Sequence, residues 1–237
     1  MSVSEKIGAF FDLDGTLVAP PSLEWRFIGF LLARDELRTI DIARWLGYFS
    51  KKVFPDPRAA TVGNKRYLAG LRESLAAEWE KSLDERVLPF YSEAIQRMTW
   101  HWSQGHRVFL VTGTLDFLAW AVAQRLPGPV AVCATRLEVN GGRWTGRLAS
   151  EHMSGEAKAR AVRNLASRLG LSLWDSYAYG NWTSDLPMLD SVGHRTAVNS
   201  PARLARIARG EGWPAYDWRE PASRTRQPQQ LAAREAR

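Results

Sequence analysis

The chain reads as an α/β protein: a Rossmann-like core with a mostly parallel sheet, a helical cap inserted after the first strand and a small β-hairpin flap. Three observations predict it. A short apolar run, Ile7-Gly-Ala-Phe-Phe, ends on two carboxylates and Gly15, as a buried strand with polar residues at its tip does. From Pro89 onward, strand-like and helix-like segments alternate, which is the rhythm of βαβ units. Between these regions the periodicity is helical only.

The elements follow in order. From about Pro20 to Val87 apolar residues recur at three and four spacing, as Leu23, Phe27 and Leu31, then as Leu68, Leu71, Leu75 and Trp79. Pro55 and Pro57 punctuate this stretch, so it reads as two helical pairs forming a separate cap module over residues 20–87. The core takes residues 1–19 and 88–218. It continues with a helix through Trp102, a strand Arg107–Thr112, a helix from Leu115 and a strand near Val130. Asn140-Gly141-Gly142, between the alternating apolar residues of Arg136–Leu148, is a hairpin signal and gives the flap. Ser154 is placed to cap a helix Gly155–Leu169; a strand Asp175–Tyr179, a helix from Ser184 and a strand Thr196–Asn199 follow. Residues 219–237, rich in arginine, glutamine and alanine, lack apolar periodicity and read as a disordered tail.

Composition narrows the function classes. Of 237 residues, 45% are hydrophobic and 24% charged, which is globular rather than disordered. The longest apolar runs, Phe27–Leu32 and Val108–Thr112, are far shorter than the roughly 20 residues of a transmembrane helix. The first residues lack a secretory succession, so the expected location is cytoplasmic. The single cysteine, Cys133, excludes an intrachain disulfide and reads as a buried strand thiol. A net charge of +7 attracts anions in general, but no compact basic block marks a nucleic-acid patch, and no nucleic-acid partner is expected. His101, His106, His152 and His194 show no metal-ligand spacing and read as structural, with His152 alone near a motif. Trp25, Trp45 and Trp79 read as core packing. The apolar faces of the first cap helix add a secondary expectation, a phosphate substrate with an apolar group.

The chemistry gathers at the tip of the first strand. Asp12 and Asp14 stand two positions apart, so on a strand they point the same way. Neighbouring carboxylates repel, and a divalent cation with a preference for hard oxygen ligands, such as Mg²⁺, keeps both ionised. One can then attack while the other handles protons. Gly15 permits the turn that lets backbone amides face a phosphate, and Thr16 adds a hydroxyl donor.

With these residues the sequence resembles the haloacid dehalogenase superfamily, in its phosphoserine-phosphatase-like branch with a helical cap. The second motif of that family looks like Val111-Thr112-Gly113, which the resemblance assigns to holding the transferring phosphoryl oxygens. The third looks like Lys158 in Ser154-Gly-Glu-Ala-Lys, whose ammonium would balance Asp12 and the phosphate. The fourth is similar to Tyr179-Gly-Asn-Trp-Thr-Ser-Asp, with Asn181 where an aspartate is usual and Asp185 retained. The resemblance thus implies a Mg²⁺ site of Asp12, Asp14 through its carbonyl, Asn181 and Asp185, with weakened metal affinity because one negative charge is missing. It implies hydrolysis of a small phosphomonoester in two displacements, with Asp12 as nucleophile and Asp14 as general acid and base. The acidic residue that greets the substrate amine in phosphoserine phosphatases comes late here, as Glu24, which argues against phosphoserine. The alternatives are a phosphotransferase and, because of Asn181, a catalytically weak protein that binds a phosphorylated ligand. The oligomeric state is not legible.

Overall fold

The structure, a computed structural model, describes residues 6–37, 65–83 and 88–219. The expectations for Trp45, Pro55 and Pro57, and for the tail after residue 219, lie outside them. Strand β1 (Lys6–Phe11) is buried from Gly8 onward, as a strand covered on both faces must be. It lies within a six-stranded sheet between β2 (Arg107–Leu115) and β6 (Leu171–Gly180). Beyond β2 runs β3 (Val130–Thr135), and beyond β6 run β7 (His194–Val198) and β8 (Ala215–Tyr216). Every pairing in this sheet is parallel, so all strand tips share one edge. The expected α/β, Rossmann-like fold is therefore borne out.

Alternation along the strands sorts their side chains into two layers. Phe11, Leu110 and Tyr179 join one cluster with helices α1 (Leu23–Ala33), α2 (Leu75–Ser82), α3 (Ser92–Ser103) and α4 (Asp116–Ala123). Phe10, Phe109 and Ala178 join the other with α5 (Glu156–Leu169), α6 (Leu186–Leu189) and α7 (Ala202–Gly210). The described cap residues share the first cluster with the sheet: Leu23, Phe27, Ile28, Leu31, Leu75 and Trp79 are all buried in it. Phe27 alone meets the rings of Phe117 at 5.0 Å, Trp79 at 5.6 Å and Trp144 at 6.0 Å.

The flap is the hairpin β4 (Leu137–Asn140) and β5 (Arg143–Leu148), with Gly141 and Gly142 both at positive φ in its turn, as a two-residue hairpin loop requires. It is stitched to the cap stretch before α2: the Gly70 amide donates to the Trp144 carbonyl at 2.8 Å and the Trp144 amide to the Leu71 carbonyl at 3.0 Å. Three local expectations need correcting. Trp25, read as core packing, is 47% exposed because it lies on the outer side of α1, away from the buried Leu23, Phe27 and Leu31. Ser154 does not cap α5; Gly155 holds that position at φ 56° and no side chain bonds the helix start. Cys133 is half-buried rather than buried, because β3 is the outer strand of the sheet.

Candidate active site

Asp12 leaves the central strand where its amide donates to the Tyr179 carbonyl of β6 at 2.9 Å, which fixes Asp12 against a neighbouring strand. A tight turn follows, with Gly15 at φ 81°. The Asn181 amide fills the space that a side chain at Gly15 would need, so only glycine fits. Thr16 folds back to donate to Asp12 Oδ2 over a long 3.3 Å. The Gly15 carbonyl accepts from Asn199 Nδ2 at 2.8 Å, while Asn199 Oδ1 accepts from the Trp218 amide at 2.7 Å, tying the turn to the far side of the sheet.

Lys158, only 3% exposed, reaches from the first turn of α5 to Asp12 Oδ1 at 2.6 Å and Asp185 Oδ1 at 2.7 Å. The other Asp185 oxygen accepts from the amides of Asn181 and Trp182 at 3.1 and 3.0 Å. One buried carboxylate thus shapes the fourth-motif loop and aims the lysine. Burial opposes the charge on Lys158, but Asp12 and Asp185 outweigh it and hold the ammonium above its ordinary pKa. Burial pushes the Asp12 carboxyl up to about 6, with Lys158 pulling it down and Asp185 pushing it further up. It remains mostly ionised at neutral pH.

Asp14 is held differently. Its Oδ1 accepts from the Leu23 amide at 2.9 Å and its Oδ2 from the Thr114 hydroxyl at 2.6 Å. Burial raises its pKa, with those hydrogen bonds working the other way and Glu24 adding to the rise. Thr112 lies beneath: its hydroxyl donates to Thr114 Oγ1 at 3.1 Å and accepts from the Thr114 amide. Gly113 leaves room for His152, whose ring would stand 2.9 Å from any added Cβ. Burial, then Lys65 and Lys158, push that imidazole down to about 4, so it is neutral at physiological pH.

All the predicted residues therefore gather at one end of the sheet: Asp12, Asp14, Gly15 and Thr16 after β1, Thr112 and Gly113 on β2, Lys158 on α5, and Asn181 and Asp185 after β6. Sequence reasoning missed Thr114. Strand alternation could have found it, because a residue two beyond Thr112 faces the same way. It also missed Asn199 and the partners of Glu24, Lys65 and Tyr67, for which no local signal exists.

Among the described residues no group of three or more His, Cys, Asp or Glu side chains closes around a common point. Lys158 lies between Asp12 and Asp185. The carboxylates gathered there, of Asp12 and Asp185, are nevertheless hard oxygen donors. Two carboxylates against one ammonium leave an excess of negative charge. That donor set and that charge fit Mg²⁺.

An α/β fold with paired aspartates and a buried lysine at its strand tips is the framework of a phosphoryl-transfer enzyme, and the comparisons agree. The haloacid dehalogenase-like hydrolase family matches residues 9–190, and the chain belongs to that family. It is 35% identical over 226 residues to a putative hydrolase of Mycobacterium leprae, covering 89% of this chain and 72% of that one. It is equally similar, at 35%, to a protein of Mycobacterium tuberculosis named phosphoserine phosphatase, covering 89% of this chain and 70% of that one. Among solved structures, a Bordetella pertussis protein of unknown function matches with TM-score 0.74 at 24% identity, over 91% of this chain and all of that one. A phospho-aspartyl intermediate analogue of phosphoserine phosphatase matches with TM-score 0.61 at 19% identity, over 98% and 99% of the two chains. The chain is a phosphatase, a phosphoric monoester hydrolase of this family. No helix among the described residues is long and apolar enough to cross a membrane.

Proposed function

We propose that this phosphatase hydrolyses a small phosphomonoester, other than phosphoserine, through an aspartyl-phosphate on Asp12, with Mg²⁺ as cofactor. The observation that carries the reading is the unequal treatment of two carboxylates. Asp12 is paired with an ammonium at 2.6 Å, whereas Asp14 is held only by a neutral hydroxyl and a backbone amide. A nucleophile must be ionised and a general acid must carry a proton; the ammonium favours the charge on Asp12, while burial works against the charge on Asp14.

In the first displacement Asp12 Oδ2 attacks phosphorus, the ester P–O bond breaks, and Asp14 gives its proton to the departing oxygen. In the second, Asp14 takes a proton from water, the water oxygen attacks phosphorus, and inorganic phosphate leaves with Asp12 restored. Lys158 stays protonated throughout and balances the phosphoryl charge. Asp12, the Asp14 carbonyl, Asn181 and Asp185 would hold the Mg²⁺, which when bound polarises phosphoryl oxygens and offsets their charge. Glu24 supports the exclusion of phosphoserine, because its carboxylate already holds Lys65 at 2.6 Å and Tyr67 at 2.5 Å. Phe27, Ile28 and Leu31 on the buried face of α1 are taken up by packing, while Trp25 on the same helix is 47% exposed.

The test is phosphate release from a panel of phosphomonoesters, with and without Mg²⁺, by the native chain and by Asp12→Asn. Metal-dependent turnover that the substitution abolishes supports the mechanism, and turnover that survives it refutes the nucleophile. Asn181 favours a second reading, a phosphate-ligand-binding protein with weak turnover. That reading gains if no ester in the panel is hydrolysed while phosphate still binds.

A further inference from the structure

The Leu23 amide that holds Asp14 belongs to the first residue of α1, one of the helix-start donors that have no partner within the helix. Where that amide points is set by where the helix begins. The next residue, Glu24, is clamped: Lys65 Nζ lies 2.7 and 2.6 Å from its two oxygens and the Tyr67 hydroxyl donates to one of them at 2.5 Å. Lys65 is 2% and Tyr67 5% exposed, so this is a buried lock between α1 and a segment some forty residues on. The Lys65 carbonyl in turn packs 3.2 Å from the place a Cβ would take at Gly146 in the flap. Helix start and flap therefore both meet the cap segment at Lys65, through its side chain and its carbonyl.

We propose that Glu24, locked by Lys65 and Tyr67, is a positioning residue for the proton transfer by Asp14. The clamp fixes the first turn of α1, the Leu23 amide then fixes Asp14 Oδ1, and Thr114 holds the other oxygen. The lock matters most for esters whose leaving oxygen must be protonated as the P–O bond breaks, which are the alkyl phosphates. Aryl phosphates with acidic phenols leave without that proton. This inference rests on the phosphatase reading and assigns Glu24 a role distinct from substrate contact.

The experiment compares kcat/KM, which reports the first displacement, for glycerol phosphate and p-nitrophenyl phosphate with the native chain, Glu24→Gln and Tyr67→Phe. A positioned general acid contributes roughly 10²- to 10⁴-fold, so Glu24→Gln is expected to lower kcat/KM on the alkyl ester by at least about tenfold and on the aryl ester by less than about threefold. Tyr67→Phe, which removes one hydrogen bond and keeps the ion pair, shifts the same ratio in the same direction by a smaller factor. It carries the test alone if Glu24→Gln does not fold by circular dichroism. Equal losses on both esters in every folded variant, or a loss confined to a rise in KM with kcat unchanged, overturn the positioning role. A native chain inert on both esters would instead remove the phosphatase reading, and the positioning role with it.

Discussion

Lys158 and Lys65 are both buried ammonium groups, each 2.6 to 2.7 Å from carboxylate oxygens, yet they sit in clusters of different charge. Lys158 lies between Asp12 and Asp185 at the strand tips, where two carboxylates against one ammonium leave the cluster negative. Lys65 lies against Glu24, with the Tyr67 hydroxyl on the same carboxylate, a one-to-one ion pair among the described residues. Burial therefore does not mark a lysine as catalytic. A cluster with charge left over can draw a cation and reorganise around a phosphoryl group, whereas a balanced one can only hold elements together. Position follows the same division, since Lys158 stands where β1, β6 and α5 converge and Lys65 where the cap stretch meets α1.

The largest expected effect separates the two directly. Lys158→Met should lower kcat by about 10³-fold, or about 4 kcal/mol of transition-state stabilisation, in a phosphate-release assay saturated with Mg²⁺. A loss of threefold or less would place Lys158 on the structural side with Lys65. Conversely, Lys65→Met should act first on stability. It leaves Glu24 without its counter-charge, and because the Glu24 side chain keeps 20% exposure the expected loss is about 2 kcal/mol, below that of a fully buried pair. Urea unfolding with an unchanged midpoint would contradict the lock.

A third buried base gives the comparison a control away from both lysines. His101 bonds the Tyr179 hydroxyl through Nε2 at 2.9 Å and shares one proton with His106 along a 2.8 Å Nδ1–Nδ1 line. Burial, with His106 and Arg97 adding, pushes its pKa down to about 2 from 6.5. The neutral ring therefore stabilises the fold fully above its unfolded pKa, and that stability is lost as pH falls below 6.5. The slope is at most about 1.4 kcal/mol per pH unit for one proton. His101→Phe should flatten the fall in urea midpoint between pH 7 and pH 5; an unaltered slope would mean that other groups govern acid unfolding.

The smallest effect probes the charge left over around Lys158. Asn181→Asp adds a negative charge beside Gly15, and Mg²⁺ titrations of activity should show half-saturation at a concentration about tenfold lower. An unchanged titration would take Asn181 out of the metal site.

Much of the site was legible because its motifs are local. A strand tip with carboxylates two apart, a hydroxyl closing the next strand and a lysine at a helix start are each readable within a few residues. Where reading failed, the signal was long-range. Glu24 stands out in the sequence as displaced along the chain, but its partners are 41 and 43 residues away, in a stretch whose only sequence signal is helical packing. Thr114 escaped because β2 runs on to Leu115, three residues past its expected end, and so presents one more side chain to Asp14. Ser154 has the residue type of a helix cap, yet the chain turns there through Gly155 at positive φ and the hydroxyl plays no capping part.

By itself the sequence determined the fold class, the order of the motifs and the identity of the charged groups, since hydrophobic period and strand alternation are properties of neighbouring residues. Only the tertiary structure decided that Lys158 would meet Asp185 as well as Asp12, that Lys65 would meet Glu24, and that Asp14 would be gripped from β2 and from α1 at once. Those pairings depend on how separate elements pack, and a buried charge takes whichever partner the packing brings within hydrogen-bond reach.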